Sequence, residues 1–427
     1  MRKFTFLWLT YLVSAIGNRT AGFAITLWVW DLTGAAMPVV LTGFFGHLPH
    51  IVASLLAGSV VDRANRKYLM ILSRLAAVAS TLVLLILYLS GHLAIWHLYV
   101  AALVKGWFEK FGNLSYRASI TLLLPPSNYV RAFSMNSAIG YLASIVAPGI
   151  AGVIYRTEGL GGIFLVQLAA FAIVITILAL VQIPQPKNNK HQQKESKGWI
   201  SYLTQLWAEL TFGVRYIWRS AGLRSLIIIT TVFWSATALC DALRNPMILA
   251  KTGGSSEVLG AVITTAGIGG LGAAISLSLW GGFRRNVRGM LAGFVGAGIA
   301  KITFGLGQGL PVWLPAQFGS SLNFPLLHSS EKALLTAATP PEVICGRDVI
   351  NDVGEVSATL LAGVLSDRVF EPSIQSPTLL QFLFAPVFGT GAGAGMAVRY
   401  VGGAIVMLLA GIFGFRSSGL RHLEKQV

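Results

Sequence analysis

Gly58-Ser59-Val60-Val61-Asp62-Arg63-Ala64-Asn65-Arg66-Lys67 carries one acid and three bases in ten residues, in a chain where only 11% of residues are charged. It joins two long apolar stretches, 36–61 and 68–90. About 20 apolar residues in helical form cross a hydrocarbon core of roughly 30 Å, and each stretch is that long. The segment therefore reads as a short basic turn at a membrane surface.

Working outward, the same pattern fills the chain. The 427 residues are 54% hydrophobic, and the charged fraction is well below the roughly 25% usual for soluble domains. Too little polar surface exists to cover one soluble globule of this size. A cytosolic enzyme, a disulfide scaffold and a disordered protein are excluded. Twelve apolar runs can be counted, with limits 4–29, 36–61, 68–90, 94–118, 132–155, 161–183, 223–249, 257–280, 289–307, 311–335, 347–369 and 395–415. Runs four, ten and eleven are interrupted by polar residues. Backbone polar groups must be satisfied internally in lipid, and long continuous runs mean helices. The expected class is an all-α membrane protein with twelve transmembrane helices.

The formal net charge of +16 has two readings, nucleic-acid binding or loop topology. With a cytosolic N-terminus, 22 of the 32 Lys and Arg residues fall in inside segments, 3 in outside segments and 7 within spans. That asymmetry obeys the positive-inside rule. It predicts a multi-pass protein of the plasma (inner) membrane with both termini cytosolic, and it removes the case for nucleic acid. The start, Met1-Arg2-Lys3 and an apolar run, resembles a signal peptide but runs on too long, so a retained first span is expected.

The longest polar stretch, Pro184 to Gly198, divides the chain nearly in half. After it, Trp199, Leu203, Leu206, Leu210, Val214 and Ile217 fall on one helical face. That segment either lies flat on the inner membrane surface or packs on the bundle as a linker helix. The expected organisation is an N-terminal bundle 1–183, a linker 184–222 and a C-terminal bundle 223–427. The halves resemble each other. Asn65 matches Asn286 at an offset of 221, and Pro125-Pro126 matches Pro340-Pro341 at an offset of 215. Two landmarks at nearly one offset suggest two six-span units in parallel order, one of the transporter repeat schemes.

With Gly58-x-x-x-Asp62-Arg63-x-x-Arg66-Lys67 between spans two and three, the sequence resembles the major facilitator superfamily. Within it, the closer similarity is to the drug-exporter branch that includes macrolide-efflux proteins and the enterobactin exporter. Leu32-Thr33-Gly34, Pro340-Pro341-Glu342-Val343 with Gly346-Arg347, Leu361 through Pro372 and Gly389 through Gly395 carry that similarity. Asn18-Arg19 in span one and Asp241 with Arg244 in span seven depart from the branch. The resemblance implies a major facilitator fold of two six-helix bundles. It also implies a cytosolic gate built from Gly58, Asp62, Arg63, Arg66, Lys67 and Arg347, in which Asp62 approaches the N-terminus of span eleven. A helix N-terminus carries roughly half a positive charge. Spacing alone shows only a basic turn, and Arg63, Arg66 and Lys67 are equally read as topology anchors.

Charges inside spans are the remaining signals. A charge at the bilayer centre costs at least ~2.5–3.5 kcal/mol on insertion scales, so it has a partner or a role. Lys105 and Glu109 share a face of span four, and Asp241 and Arg244 share one of span seven. Asn18 and Arg19 sit near the middle of span one, and Gln317 and Asn323 sit in span ten. The resemblance implies that spans one, four, seven and ten line a central cavity. Arg74, Lys301, Asp352 with Glu355, and Arg399 lie in other spans. Glu109, Asp241 and Glu355 are the candidate proton-coupling acids, since a partly desolvated carboxyl beside a cation can be poised between charge states. Static ion pairs that fix helix packing are the competing reading. Trp107 and Trp234, with Trp28 and Phe111, could wall an amphiphilic substrate or simply pack.

Other signals fail. Gly391-x-Gly393-x-Gly395 follows no strand and is no phosphate loop. His47 and His50 lack further ligands for a metal, Cys240 and Cys345 make no disulfide framework, and no nucleophile–base arrangement stands out. No cofactor and no enzymatic activity are expected. The reading is a monomeric secondary transporter exporting a small amphiphilic, drug-like compound by proton antiport. Its alternatives are an exporter of a siderophore or other metabolite, and a non-transporting receptor on the same scaffold.

Overall fold

The computed structural model describes residues 2–125, 129–181, 211, 213, 215–280, 283, 285–339, 341–376 and 379–426. Every described element is helical: α1 (Arg2–Thr33), α2 (Ala36–Arg63), α3 (Arg66–Leu89), α4 (Ile95–Leu123), α5 (Tyr129–Leu180), α6 (Ala221–Lys251), α7 (Ser256–Trp280), α8 (Asn286–Leu306), α9 (Leu310–Ala338), α10 (Pro341–Leu365), α11 (Glu371–Gln375), α12 (Leu379–Phe388), α13 (Ala394–Arg416) and α14 (Ser418–Gln426). A π-turn, Ser366–Phe370, continues α10.

All twelve expected spans are present as helices. Spans five and six form the two legs of α5, which folds back at Gly159 with φ 63° and ψ −157°. A residue with a Cβ is strained at such a φ, which is why glycine stands at the turn. The second leg returns to the end where α5 began. Phe4 and Leu7 of α1, Met70 of α3, Tyr116 and Ile120 of α4, Ala132 of the first leg and Val174 and Leu178 of the second share one buried cluster there.

Eight described stretches satisfy length and hydropathy criteria for crossing a membrane, and one of them, Met135–Leu180, holds both legs of α5. Helices α1, α4 and α9 are as long but more polar. Their polar groups find partners inside the protein rather than lipid, as shown for Asn18, Gln317 and Asn323 below.

Helices through Leu180 pack on one another, and those from Ala221 pack on one another. The two sets meet along α5 with α7 and along α2 with α10. In the C-terminal set the core is aromatic: Phe233 and Phe294 stack face to face with centroids 3.7 Å apart, and Trp313 and Tyr400 are fully buried. Apolar residues such as Ile86, Ile173 and Phe413 point outward, as lipid-facing helix surfaces require. Of the face that begins at Trp199, most residues lie outside the described ones. Ile217 is buried against Ile227 and Ile350, so the end of that segment packs on the bundle.

Candidate functional site

The loop that opened the reading is built by capping. Asn65 accepts a hydrogen bond from the Lys67 amide at 3.0 Å and starts α3. Arg66, 9% exposed, donates to the Ala118 carbonyl at 2.9 Å near the end of α4. Lys67 Nζ donates to the Ala179 carbonyl at 2.6 Å at the end of α5. Both cations sit at the negative ends of helices, where they are favourable. These two bases thus tie three helix ends together. Gly58, Asp62 and Arg63 complete the last turns of α2, and their side chains lie outside the described residues.

Arg347, near the start of α10, is ion-paired with Glu331 of α9, whose side chain is 3% exposed. Trp234 Nε1 donates to the other Glu331 oxygen at 3.0 Å, and the Trp234 ring stacks on His328. With its amide oriented to satisfy both neighbours, Asn351 donates to Thr231 and accepts from Arg347. Trp234 and Arg347 therefore belong to one polar cluster inside the C-terminal half.

The intramembrane charges sort differently from their sequence spacing. Asp241 receives Lys301 Nζ of α8 at 2.7 Å and Arg244 at 3.6 Å. Lys301 is nearly buried (3% side-chain exposure) and lies against the Phe324 and Tyr400 rings. The i,i+3 pair was readable, but the stronger partner was not. Its only signal was a solitary lysine in span nine. Lys105 and Glu109 form no ion pair among the described residues.

Asn18 accepts from Gln167 at 3.0 Å, and Gln167 in turn accepts from Thr81, so this asparagine joins α1, α3 and α5 inside the N-terminal half. Arg19 is exposed, and its guanidinium lies 4.0 Å from where a Cβ on Gly140 would stand. Trp107 meets Phe111 edge-on and packs towards Ala53 of α2. Gln317 donates to Ser321 and Asn323 donates to the Gly319 carbonyl, both within α9.

Between the two halves lies a cavity of about 390 Å³. From the N-terminal half it is lined by Thr26 of α1, by α2 from Val39 to Ile51, and by Lys110 of α4. From the C-terminal half it is lined by Ala238, Asp241, Ala242 and Asn245 of α6 and by Asp352, Glu355, Val356 and Thr359 of α10. Asp241 and Glu355 are thus at the cavity, together with Asp352, with His47 and His50, which the sequence offered only as metal ligands, and with Lys110, which spacing did not single out. Helices α2 and α10 supply most of the wall. Span ten (α9) supplies none of it, because α9 packs on α7 and α8 and turns its amides onto itself. Among the described residues no three His, Cys, Asp or Glu side chains are grouped as metal ligands.

One end of the cavity is bridged by both seams. Asp367, just past α10, accepts from the backbone amides of Ala36 at 3.2 Å and Met37 at 2.7 Å, the first residues of α2. A carboxylate from one half therefore caps a helix of the other. On the second seam Arg156 of α5 pairs with Glu257 of α7. Further along it, a Cβ on Gly270 would overlap the Tyr141 ring, and one on Gly267 would stand 2.8 Å from the Tyr141 carbonyl oxygen.

Two sets of membrane-length helices around a polar cavity that is bridged at one end are the arrangement expected of a membrane transporter. Residues 7–344 match the family profile of the Major Facilitator Superfamily. The chain belongs to that superfamily. It is 22% identical over 375 residues to macrolide efflux protein A of Streptococcus pyogenes, covering 86% of this chain and 90% of that protein. It is 26% identical to the multidrug efflux pump Tap of Mycolicibacterium fortuitum, covering 71% and 73%, respectively. It is 25% identical to the enterobactin exporter EntS of Citrobacter koseri, covering 84% and 85%. The fold also superposes on a peptide transporter POT in complex with alafosfalin, with a TM-score of 0.69 at 11% identity, over 99% of this chain and 95% of that one. A bacterial homolog of the lysosomal transporter Spinster, solved inward-facing and unoccupied, gives 0.64 at 16% identity over 100% and 97%. These relatives are transporters, not enzymes.

Proposed function

We propose that this chain exports a small amphiphilic organic compound by proton antiport, rocking residues 1–183 against residues 223–427 about the central cavity, with 184–222 as the linker between them. The observation that carries this reading is Glu355. It stands half-buried on the cavity wall, with no ion pair among the described residues. A partly desolvated acid that is not clamped in a fixed ion pair is free to gain and lose a proton in each cycle. Asp241 reaches the same cavity but is already held by Lys301 and Arg244, and Glu109 is half-buried in α4 beside Lys105. Glu355 is therefore the leading coupling acid of the three.

The basic-residue asymmetry supports cytosolic termini in an inner membrane. In that orientation the end bridged by Asp367 and by Arg156–Glu257 is the outer end, and the state is closed outward. Alternating access then requires these contacts to break while the inner ends of α2 and α10 come together, with Asp62 approaching the start of α10. Efflux relatives for macrolides and other drugs support a drug-like cargo. The enterobactin exporter among them makes a siderophore or other metabolite the second reading.

The test is substrate-dependent proton flux in proteoliposomes carrying the full chain, with a panel of drugs and siderophores. Glu355→Gln is expected to abolish pH-driven flux while the protein remains folded. Proton dependence that survives Glu355→Gln, Asp241→Asn and Glu109→Gln, each made singly, would overturn the assignment of these acids, and substrate flux that neither moves protons nor responds to a pH gradient would overturn antiport.

A further inference from the structure

The cavity is divided by charge along the boundary between the halves. Its basic and imidazole groups, His47, His50 and Lys110, all come from the N-terminal half. Its carboxylates, Asp241, Asp352 and Glu355, all come from the C-terminal half. Asp241 holds Lys301 at 2.7 Å and Arg244 at 3.6 Å. Lys110 and Glu355 form no ion pair with one another among the described residues, so the space of about 390 Å³ keeps the two walls apart. Pockets of roughly 300–1,000 Å³ hold drug-sized ligands.

Opposite charges facing across a partly dry space attract more strongly than in water. A ligand that lacks one of the two complementary groups leaves Glu355 or Lys110 desolvated without that compensation. We propose that the cavity selects a zwitterionic amphiphile, with a cationic nitrogen against Glu355 and Asp352 and an anionic or strongly accepting group against Lys110 and the two histidines. The apolar residues between them, among them Val40, Phe44 and Val356, take the hydrophobic body. This deepens the transport reading and rests on the cavity being its binding site. It is tested by binding alone, so that the two can fail separately.

Three dyes share a xanthene body and differ in charge: tetramethylrhodamine is zwitterionic, tetramethylrosamine cationic and fluorescein anionic. Fluorescence anisotropy with the purified full chain in neutral detergent measures each affinity. The zwitterion is expected to bind about tenfold more tightly than the cation, the worth of one charge-assisted hydrogen bond, with the anion weakest. Lys110→Ala is expected to collapse the zwitterion-to-cation ratio to about one. Glu355→Gln is expected to weaken both cation-bearing dyes severalfold. Equal or tighter binding of the cation in the native chain, a ratio that survives Lys110→Ala, or no binding of any dye by protein with an intact melting transition would each overturn the proposal. Zwitterion selection without pH-driven flux would sink antiport and leave this inference standing. Proton-coupled flux without the selection would do the reverse.

Discussion

At the scale of single residues, the structure is governed by what surrounds each intramembrane charge. Asp241 has two cations, and one of them, Lys301, is almost wholly buried. Asp241→Asn leaves that lysine desolvated without a counter-charge, a situation that costs about 3–5 kcal/mol in buried pairs. The expected outcome is a clear fall in melting temperature, recovered in large part by adding Lys301→Met, since removing both partners is far milder than removing one. Additive losses in the double variant would contradict the pairing. Sequence spacing made Asp241–Arg244 legible because three residues apart on a helix means one face. Lys301 lies sixty positions away on another helix, and no periodicity in a single chain reports which helices touch. Asn18, Gln317 and Asn323 show the same limit from the other side. Their polarity inside spans was visible, but whether each turned to the cavity or to its own bundle depended on neighbours such as Gln167 and the α9 backbone.

At the scale of elements, helix ends carry the arrangement. Arg66 and Lys67 lie at the ends of α4 and α5, and Asp367 caps α2 from the opposite half. Sequence displayed the first two as a basic turn. It displayed Asp367 only as part of a family-like segment, since capping across 330 residues has no local signature. Asp367→Asn weakens a charge–dipole contact that joins the halves, worth roughly 0.3–1 kcal/mol. It is expected to raise, severalfold, the labelling of a Thr42→Cys cavity probe by a membrane-impermeant thiol reagent added outside. Unchanged labelling would deny Asp367 a part in closing that end.

The seam between α5 and α7 makes a second claim at this scale. Gly270 leaves room for the Tyr141 ring. Gly270→Val is expected to push the helices apart and suppress transport in protein that still inserts and folds. Tyr141→Ala in the same chain is expected to restore transport, because it removes the obstructing ring. Suppression that persists in the double variant would place the fault elsewhere than at this contact.

At the scale of the whole molecule, the twelve-helix architecture was legible because lipid imposes it. Apolar run length sets each span, and the distribution of basic residues sets the expected orientation. The bend at Gly159 was legible only as a gap between runs five and six. The shape of the cavity was not legible, since it depends on α2 and α10 leaning together at one end while their midpoints stay apart. In the proposed transport cycle that arrangement is one of two states, and rotation of one half on the other gives the second.

The most direct test of that claim is a pair of distances measured by pulsed electron paramagnetic resonance on the full chain in lipid. One spin-label pair, at Leu32 and Ser376, spans the bridged end; the other, at Tyr68 and Arg285, spans the opposite end. Titrating substrate and pH is predicted to populate a second state in which the first distance lengthens as the second shortens. Distances that stay fixed, or that change in the same direction, would contradict the rocking of two halves about a central cavity.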